Sequence, residues 1–311
     1  MNSYDLFYIE TLTPMHVGSG DIHFGVVDNL IQRNPATKIP VINASSLKGS
    51  LKEHFEKKLK ANDTSNALEK TEIDYLFGKE TTIESEGDKE AKKTKSDSKP
   101  GRMIVFEANL LTLSLRASQK VFFNATSPQV LKDYLKYYVL LKASPPDLDT
   151  FNKVLDDLLI HELGSKDFVV FEELTGLEIE DFDKGSKFTT KDNDTDNKLK
   201  NFLQTVFKID ISSIAIFNDS IFSAICERKV PVIARNQIDN DTGTSKNLFY
   251  EEVLPRCTKL YFYLGEEKIS TATNGYYDKI KQCIAADKEI IQIGANYSIG
   301  YGFTKISEVK S

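Results

Sequence analysis

The residue types able to do chemistry gather in four short segments. Asp28 lies in GVVDNLIQR, flanked by Val26, Val27, Leu30 and Ile31. A carboxylate there can hold a divalent metal or orient a hydroxyl for in-line attack on an adjacent phosphate. It can equally be a strand-edge acid facing solvent. No second acid lies within a few residues, so a two-carboxylate mechanism is not written locally. His16, in TPMHVGSG, sits beside a glycine loop. An imidazole there can act as a general acid or base, or simply hydrogen-bond to its surroundings.

The other two segments suit an anion. SSLKGSLKEHF, from Ser45 to Phe55, reads as a helix start with Ser45 or Ser46 as N-cap. First-turn amides point outward and the helix dipole favours negative charge, with Lys48 adding a full positive charge. Gly49 leaves room for another backbone to approach. An ordinary capped amphipathic helix with a solvated lysine face would account for the same residues. GANYSIGYGFT carries Gly294, Gly300 and Gly302 and can line an anion with backbone amides, or be a glycine-rich turn. It is not a phosphate-binding loop of the GKS or GKT kind, nor a dinucleotide fingerprint. The absence of a GxSxG disfavours a serine nucleophile.

Alternating strands and helices must position these segments. Tyr4 to Thr13 reads as a strand ended by Pro14. Leu47, Leu51, Phe55 and Leu59 recur every four residues, which predicts a helix with one apolar stripe. A second helix ends near Phe77-Gly78, and a strand runs from Met103 to Leu115. Pro128 after Ser127 opens a helix to about Leu141, followed by another over Leu148 to Leu163. Lys166 to Ile179, Ser212 to Phe217, Val230 to Ile238, Lys259 to Leu264 and Glu289 to Ile293 are strand-like, and Tyr276 to Ala286 is helical. Residues 79–100 are polar and mixed in charge, and read as a mobile insertion. Residues 180–198 read as a polar loop. The pattern lacks the βαβ regularity of a doubly wound sheet, so the expected class is α+β with an antiparallel sheet.

Composition narrows the possibilities further. The 311 residues are 40% hydrophobic and 28% charged, enough for a large core. The net charge of -6 gives no global basic signal, so any nucleic-acid contact must rest on local charge. Cys226, Cys257 and Cys283 lack metal-ligand spacing and read as buried, reduced thiols. No apolar run approaches the ~20 residues of a membrane helix. The expected location is the cytoplasm, with no membrane contact.

In order, TLTPMHVGSG, GVVDNLIQR, PVINASSLKGSLKEHF and the terminal IQIGANYSIGYGF resemble the repeat-associated mysterious protein (RAMP) superfamily of CRISPR systems. More narrowly they are similar to the backbone subunit of the type III-B Cmr effector complex. Leu111 to Leu131 and Ile233 to Pro255 fit the same pattern, so the resemblance spans most of the chain.

The resemblance implies one domain over residues 1–311, with a modified RRM-like, ferredoxin-like core, helical insertions and a β-hairpin thumb at 230–252. It implies a guide-RNA-binding subunit that cuts guide-paired target RNA at regular intervals. The catalytic residue would be Asp28, with a divalent metal, Mg²⁺ or Mn²⁺, which Asp28 would help to hold. Ser45, Ser46 and Lys48 would hold the guide backbone, and Arg116 and Ser118 would add contacts from the sheet. Arg235 and Asn236 would sit at the thumb base, and Gly294, Gly300 and Gly302 would let the closing loop approach phosphates. The implied partners are guide CRISPR RNA, target RNA, further copies in a head-to-tail filament, and other Cmr subunits. A non-catalytic guide-binding subunit and the type III-A counterpart are the alternatives. A third reading is a stand-alone guide-processing nuclease using His16.

Overall fold

A computed structural model describes residues 4–20, 26–61, 68–79, 99–141, 148–157, 163–173, 175–188, 193–239, 241, 243–267, 275–286 and 289–309. Most of the 79–100 insertion therefore lies outside the described residues. The architecture is α+β, built on an 11-stranded sheet. Its middle is formed by β1 (Tyr4–Thr11) and β13 (Lys259–Glu266), paired antiparallel from Tyr4↔Gly265 to Glu10↔Lys259. On one side β1 pairs with β15 (Phe303–Glu308), which carries the short β14 (Ile291–Gln292) at the edge. On the other side β13 pairs with β6 (Ala108–Arg116) and β5 (Met103–Val105). The sheet continues through β7 (Phe122–Thr126), β10 (Ile214–Phe217), β8 (Phe168–Val170) and β9 (Gly185–Lys187). The two-residue β2 (Val41–Ile42) adds to β6.

Both faces of the sheet are covered by helices. Phe7 and Ile9 of β1, with Leu260, Phe262 and Leu264 of β13, face α1 (Ala44–Lys60), α2 (Lys70–Phe77), α6 (Asp219–Arg228) and α7 (Tyr276–Ile284). Their neighbours Leu6, Tyr8, Tyr261 and Tyr263 point the other way, toward α3 (Pro128–Leu141), α4 (Leu148–Asp157) and α5 (Asn193–Thr205). Strands buried on both faces need no polar alternation, which is why LFYI and LYFYL read as unbroken apolar runs. On the second face the Tyr8 and Tyr134 hydroxyls share a 2.7 Å hydrogen bond, one donating to the other, and both lie within reach of the Val206 carbonyl, which accepts the second proton. The paired phenols are thus satisfied in an apolar layer.

The structure departs from the expected elements in four places. Two pairings, β10 with β7 and β8 with β9, are parallel, where an antiparallel sheet was expected. The Met103–Leu115 strand breaks into β5 and β6. Phe106 N–H bonds to Tyr263 between them. Residues 180–198 contain β9, the buried Phe188 and the start of α5, so β-pairing and two phenylalanines order part of a polar segment. Finally, Asn43 is the N-cap residue of α1, and Ser45 and Ser46 lie in its first turn. Among the described residues, no helix is long and apolar enough to cross a membrane.

One hairpin stands apart from the large sheet. β11 (Val232–Ile238) and β12 (Ser245–Glu252) pair with each other as a separate two-stranded sheet. The outer half of the hairpin is exposed, and burial begins at Glu251 and Glu252.

Phe262→Ala removes a ring stacked on Phe7 at 5.4 Å in the fully buried centre. It is expected to cost about 3–5 kcal/mol in urea unfolding. Val121→Ala, at an 88% exposed position, should change stability by less than about 0.5 kcal/mol.

Candidate nucleic-acid interface

The His16 segment, residues 13–19, ties together the closing loop, the base of the hairpin and the Asp28 segment, whose Gln32 in turn reaches α1. Its backbone groups bond to four distant parts of the chain. Thr13 N–H donates to Phe303 O, and Gly302 N–H donates to Pro14 O at 2.8 Å. Met15 and Leu254 exchange both backbone bonds, at 2.9 and 2.8 Å. Ala295 N–H donates to His16 O, Gln32 N–H to Val17 O, and Ser19 N–H to Leu30 O. A buried non-regular segment needs such partners, because an unpaired backbone amide or carbonyl away from water is costly.

The strap from Asp28 to Arg33 runs from this stretch to both flanking features. Along β12, Asp28 N–H and Asn29 N–H both donate to Tyr250 O at 3.1 Å, and Glu252 N–H donates to Asn29 O at 2.9 Å. Asp28 Oδ2 accepts from Tyr250 N–H at 2.7 Å, and the residue is exposed. Toward α1, Gln32 Nε2 donates to Ser46 Oγ at 2.9 Å and to Gly18 O. Gln32 Oε1 accepts from Asn43 N–H at 2.7 Å. The strap therefore joins the hairpin, through Asp28 and Asn29, to the start of α1, through Gln32.

Two adjacent carboxylates anchor the hairpin. Successive strand residues point to opposite faces, so Glu251 and Glu252 grip different partners. Glu252, 5% exposed, is held by Arg33 in a bidentate pair at 2.6 and 2.9 Å. Its Oε2 also accepts from Ile31 N–H at 3.1 Å. Glu251, 4% exposed, accepts from Arg235 at 3.1 Å and from Asn296 Nδ2 at 3.0 Å. His16 is buried beside both: Nδ1 lies 2.6 Å from Glu252 O and Nε2 lies 3.7 Å from Glu251 Oε1. Its ring is a bracket between hairpin and core, which is the structural role open to it from sequence.

The remaining sequence candidates divide by how they are engaged. Ser45 and Gly49 are exposed on α1, and a Cβ at Gly49 would meet nothing within 4 Å. Lys48 turns inward to Met103 O at 2.9 Å. Burial, and then the Lys52 ammonium, hold it below the usual lysine range. Arg116 is exposed but paired with Glu180 and Asp181, and Ser118 hydrogen-bonds the backbone of Glu178. These two secure the 178–181 turn to the end of β6. Arg235 is committed to Glu251 and lies over the rings of Phe249 and Tyr301, both at 5.7 Å. Asn236 accepts from Ser245 Oγ across the hairpin.

The closing-loop glycines also serve the chain itself. A Cβ at Gly294 would lie 2.2 Å from His16 O, and one at Gly302 would lie 2.1 Å from Ile293 O. Both have positive φ. Gly300, with φ 83, opens onto free space and alone of the three leaves room for a phosphate. Sequence reasoning missed Arg33, Gln32, Glu251 and Glu252 as anchors. Two adjacent acids on a strand, with an arginine in the aspartate segment, were the available signal.

Comparison with known proteins agrees with this arrangement. The RAMP superfamily model matches residues 8–305. Over 315 residues the chain is 29% identical to the CRISPR system Cmr endoribonuclease Cmr4 of Pyrococcus furiosus, covering 99% of this chain and 96% of that protein. A chain in a type III-B Cmr-beta complex bound to cognate target RNA shares the fold, with TM-score 0.68 and 20% identity over 98% of this chain and 97% of that one. Oligomeric Cmr4 from Pyrococcus furiosus gives TM-score 0.64 and 22% identity, covering all of both chains.

Gly294→Ala and Gly302→Ala should each loosen the closing loop from residues 14–16. Hydrogen–deuterium exchange is expected to rise at Ala295 and Gly302. Gly300→Ala should leave exchange at those amides close to wild type.

Proposed function

Since the chain belongs to the RAMP superfamily, we propose that it is the guide-RNA-binding backbone subunit of a type III-B CRISPR effector complex. In this reading, copies stack head to tail on guide CRISPR RNA beside other Cmr subunits. Each copy cleaves the paired target RNA once, at Asp28. The observation that carries the proposal is the placement of Asp28. It is exposed beside the protruding hairpin, on the strap whose Gln32 reaches the start of α1, with Oδ2 fixed by Tyr250 N–H.

The guide backbone would lie across the first turn of α1, contacting Ser45 and Ser46 and passing close to Gly49. Lys48 would contribute its field from behind, since its ammonium faces Met103 O. Arg116, Ser118, Arg235 and Asn236 would border the path, with Gly300 admitting a phosphate at the closing loop. Gly294 and Gly302 would keep that loop in place. The hairpin would bend the duplex so that a target 2'-hydroxyl lies in line with its own 3'-phosphate. Such orientation supplies much of a rate acceleration. Asp28 Oδ1 accepts the 2'-hydroxyl proton as the oxygen attacks phosphorus. The P–O5' bond breaks, leaving a cyclic phosphate and an O5' that takes a proton from water.

A divalent metal, Mg²⁺ or Mn²⁺, is the cofactor implied by the resemblance. Among the described residues no three His, Cys, Asp or Glu side chains come together. With one Asp28 oxygen already bonded to Tyr250 N–H, these residues do not fit a protein-built cage. An ion here would draw most ligands from RNA oxygens and water.

Asp28→Asn retains an oxygen for Tyr250 N–H but cannot take a proton. In the assembled complex it should abolish regularly spaced cuts in matched target RNA while guide binding and assembly persist. Retained cutting by this variant would remove Asp28 from the chemistry. A wild-type complex that binds target but makes no cuts would point to a non-catalytic backbone subunit. Gly49→Ala is expected to raise the stability of the free chain by about 0.5–1 kcal/mol. The same methyl should weaken guide binding in a filter-binding titration, because it stands where the RNA backbone would pass.

A further inference from the structure

We infer that Arg33 and Glu252 are positioning residues for RNA cleavage, whose ion pair sets where the Asp28 carboxylate stands; this rests on the reading of Asp28 as the cleaving acid. Among the described residues, the bonds made by Asp28 itself all go to Tyr250, at the base of β12. The pairing involves two strap residues, Asp28 and Asn29, against Tyr250 and Glu252. So short a ladder has little stiffness of its own.

The Glu252 side chain adds the missing restraint from the other end. Its carboxylate takes Ile31 N–H and both terminal nitrogens of Arg33, so a single side chain grips the strap at two further points. Arg33 Nη2 also donates to Cys226 O at 3.1 Å, near the end of α6 from which the hairpin departs. Strap, hairpin and α6 are thus joined at one guanidinium. Neither member of the pair is open to RNA: the Arg33 side chain is 12% exposed and that of Glu252 is 7%. Their influence on cleavage must therefore pass through the strap.

Only a guanidinium can satisfy this geometry. Lysine keeps the charge but offers a point donor in place of a planar fork. Arg33→Lys should therefore leave the strap attached but free to shift. A displacement near 1 Å at a reacting group costs about 100-fold in rate.

The test uses the whole assembled complex with guide RNA. Arg33→Lys is expected to bind guide and target within about twofold of wild type, while single-turnover cleavage at saturating target falls about 100-fold. Cleavage by Arg33→Lys at the wild-type rate would overturn the inference, as would a loss of target affinity equal to the loss of rate. If Arg33→Lys does not assemble, Glu252→Gln, which keeps the side-chain volume and an acceptor for Ile31 N–H, takes its place with the same expected and overturning results. If Asp28→Asn still cuts, the reading of Asp28 fails, whatever Arg33→Lys does. If Asp28→Asn is inactive and Arg33→Lys is normal, only the positioning inference fails.

Discussion

Residues 13–19 form no regular strand, yet they run through the buried centre of the site. Their amides and carbonyls must find partners there. They find them on β15 and the closing loop, at the end of the hairpin, and on the Asp28 strap. This requirement draws segments far apart in sequence to one place. It also explains the glycines at 294 and 302, where a side chain would strike His16 O or Ile293 O. Without this ladder the hairpin base and the strap would keep hold of each other through Glu252 and Arg33 but lose their anchorage on residues 13–19.

Charge completes what the ladder begins. Glu251 and Glu252 are consecutive, so the pleat of β12 sends them to opposite faces. One binds Arg33 on the strap, and the other binds Arg235 within the hairpin and Asn296 on the closing loop. A buried carboxylate without its cation is strongly destabilising, by about 3–5 kcal/mol. The arrangement therefore tolerates few alternatives. His16 fits between the two acids and gives both ring nitrogens to this junction. A residue that looks like an acid–base catalyst in sequence is in this fold part of a hinge-like bracket.

The same geometry separates rigid from open parts. The outer hairpin, Ser45, Gly49 and Asp28 are exposed, and Gly300 is half-buried with open space beside it. Their supports are buried. Exposed side chains can adapt to what they meet while the buried pairs beneath them stay fixed. The net charge of -6 agrees with a protein that meets RNA through a local path and not through its whole surface.

Much was legible in the sequence because it depends on local pattern. The i+4 leucines and Phe55 specified α1, and the apolar runs specified β1 and β13. The order of the motif segments marked Asp28 and gave the family, which the match over residues 8–305 shows. The cap of α1 was misplaced by two or three residues, because Ser45, Ser46 and Asn43 are all competent caps and only the chain path chooses among them. The α5 and α6 helices and the parallel pairing of β8 with β9 were not read, since short strands inside polar sequence gain stability only from neighbours. Which polar residues face inward was decided by tertiary structure alone. Lys48 and Arg235 look like free cations in the sequence, and Arg33, Gln32, Glu251 and Glu252 look unremarkable. Burial reverses these roles, because a charge withdrawn from water is stable only beside its partner. The sequence by itself thus determined which segments carry the family pattern and singled out Asp28 among the acids. The fold determined where Asp28 points, because that depends on partners more than 200 residues away along the chain.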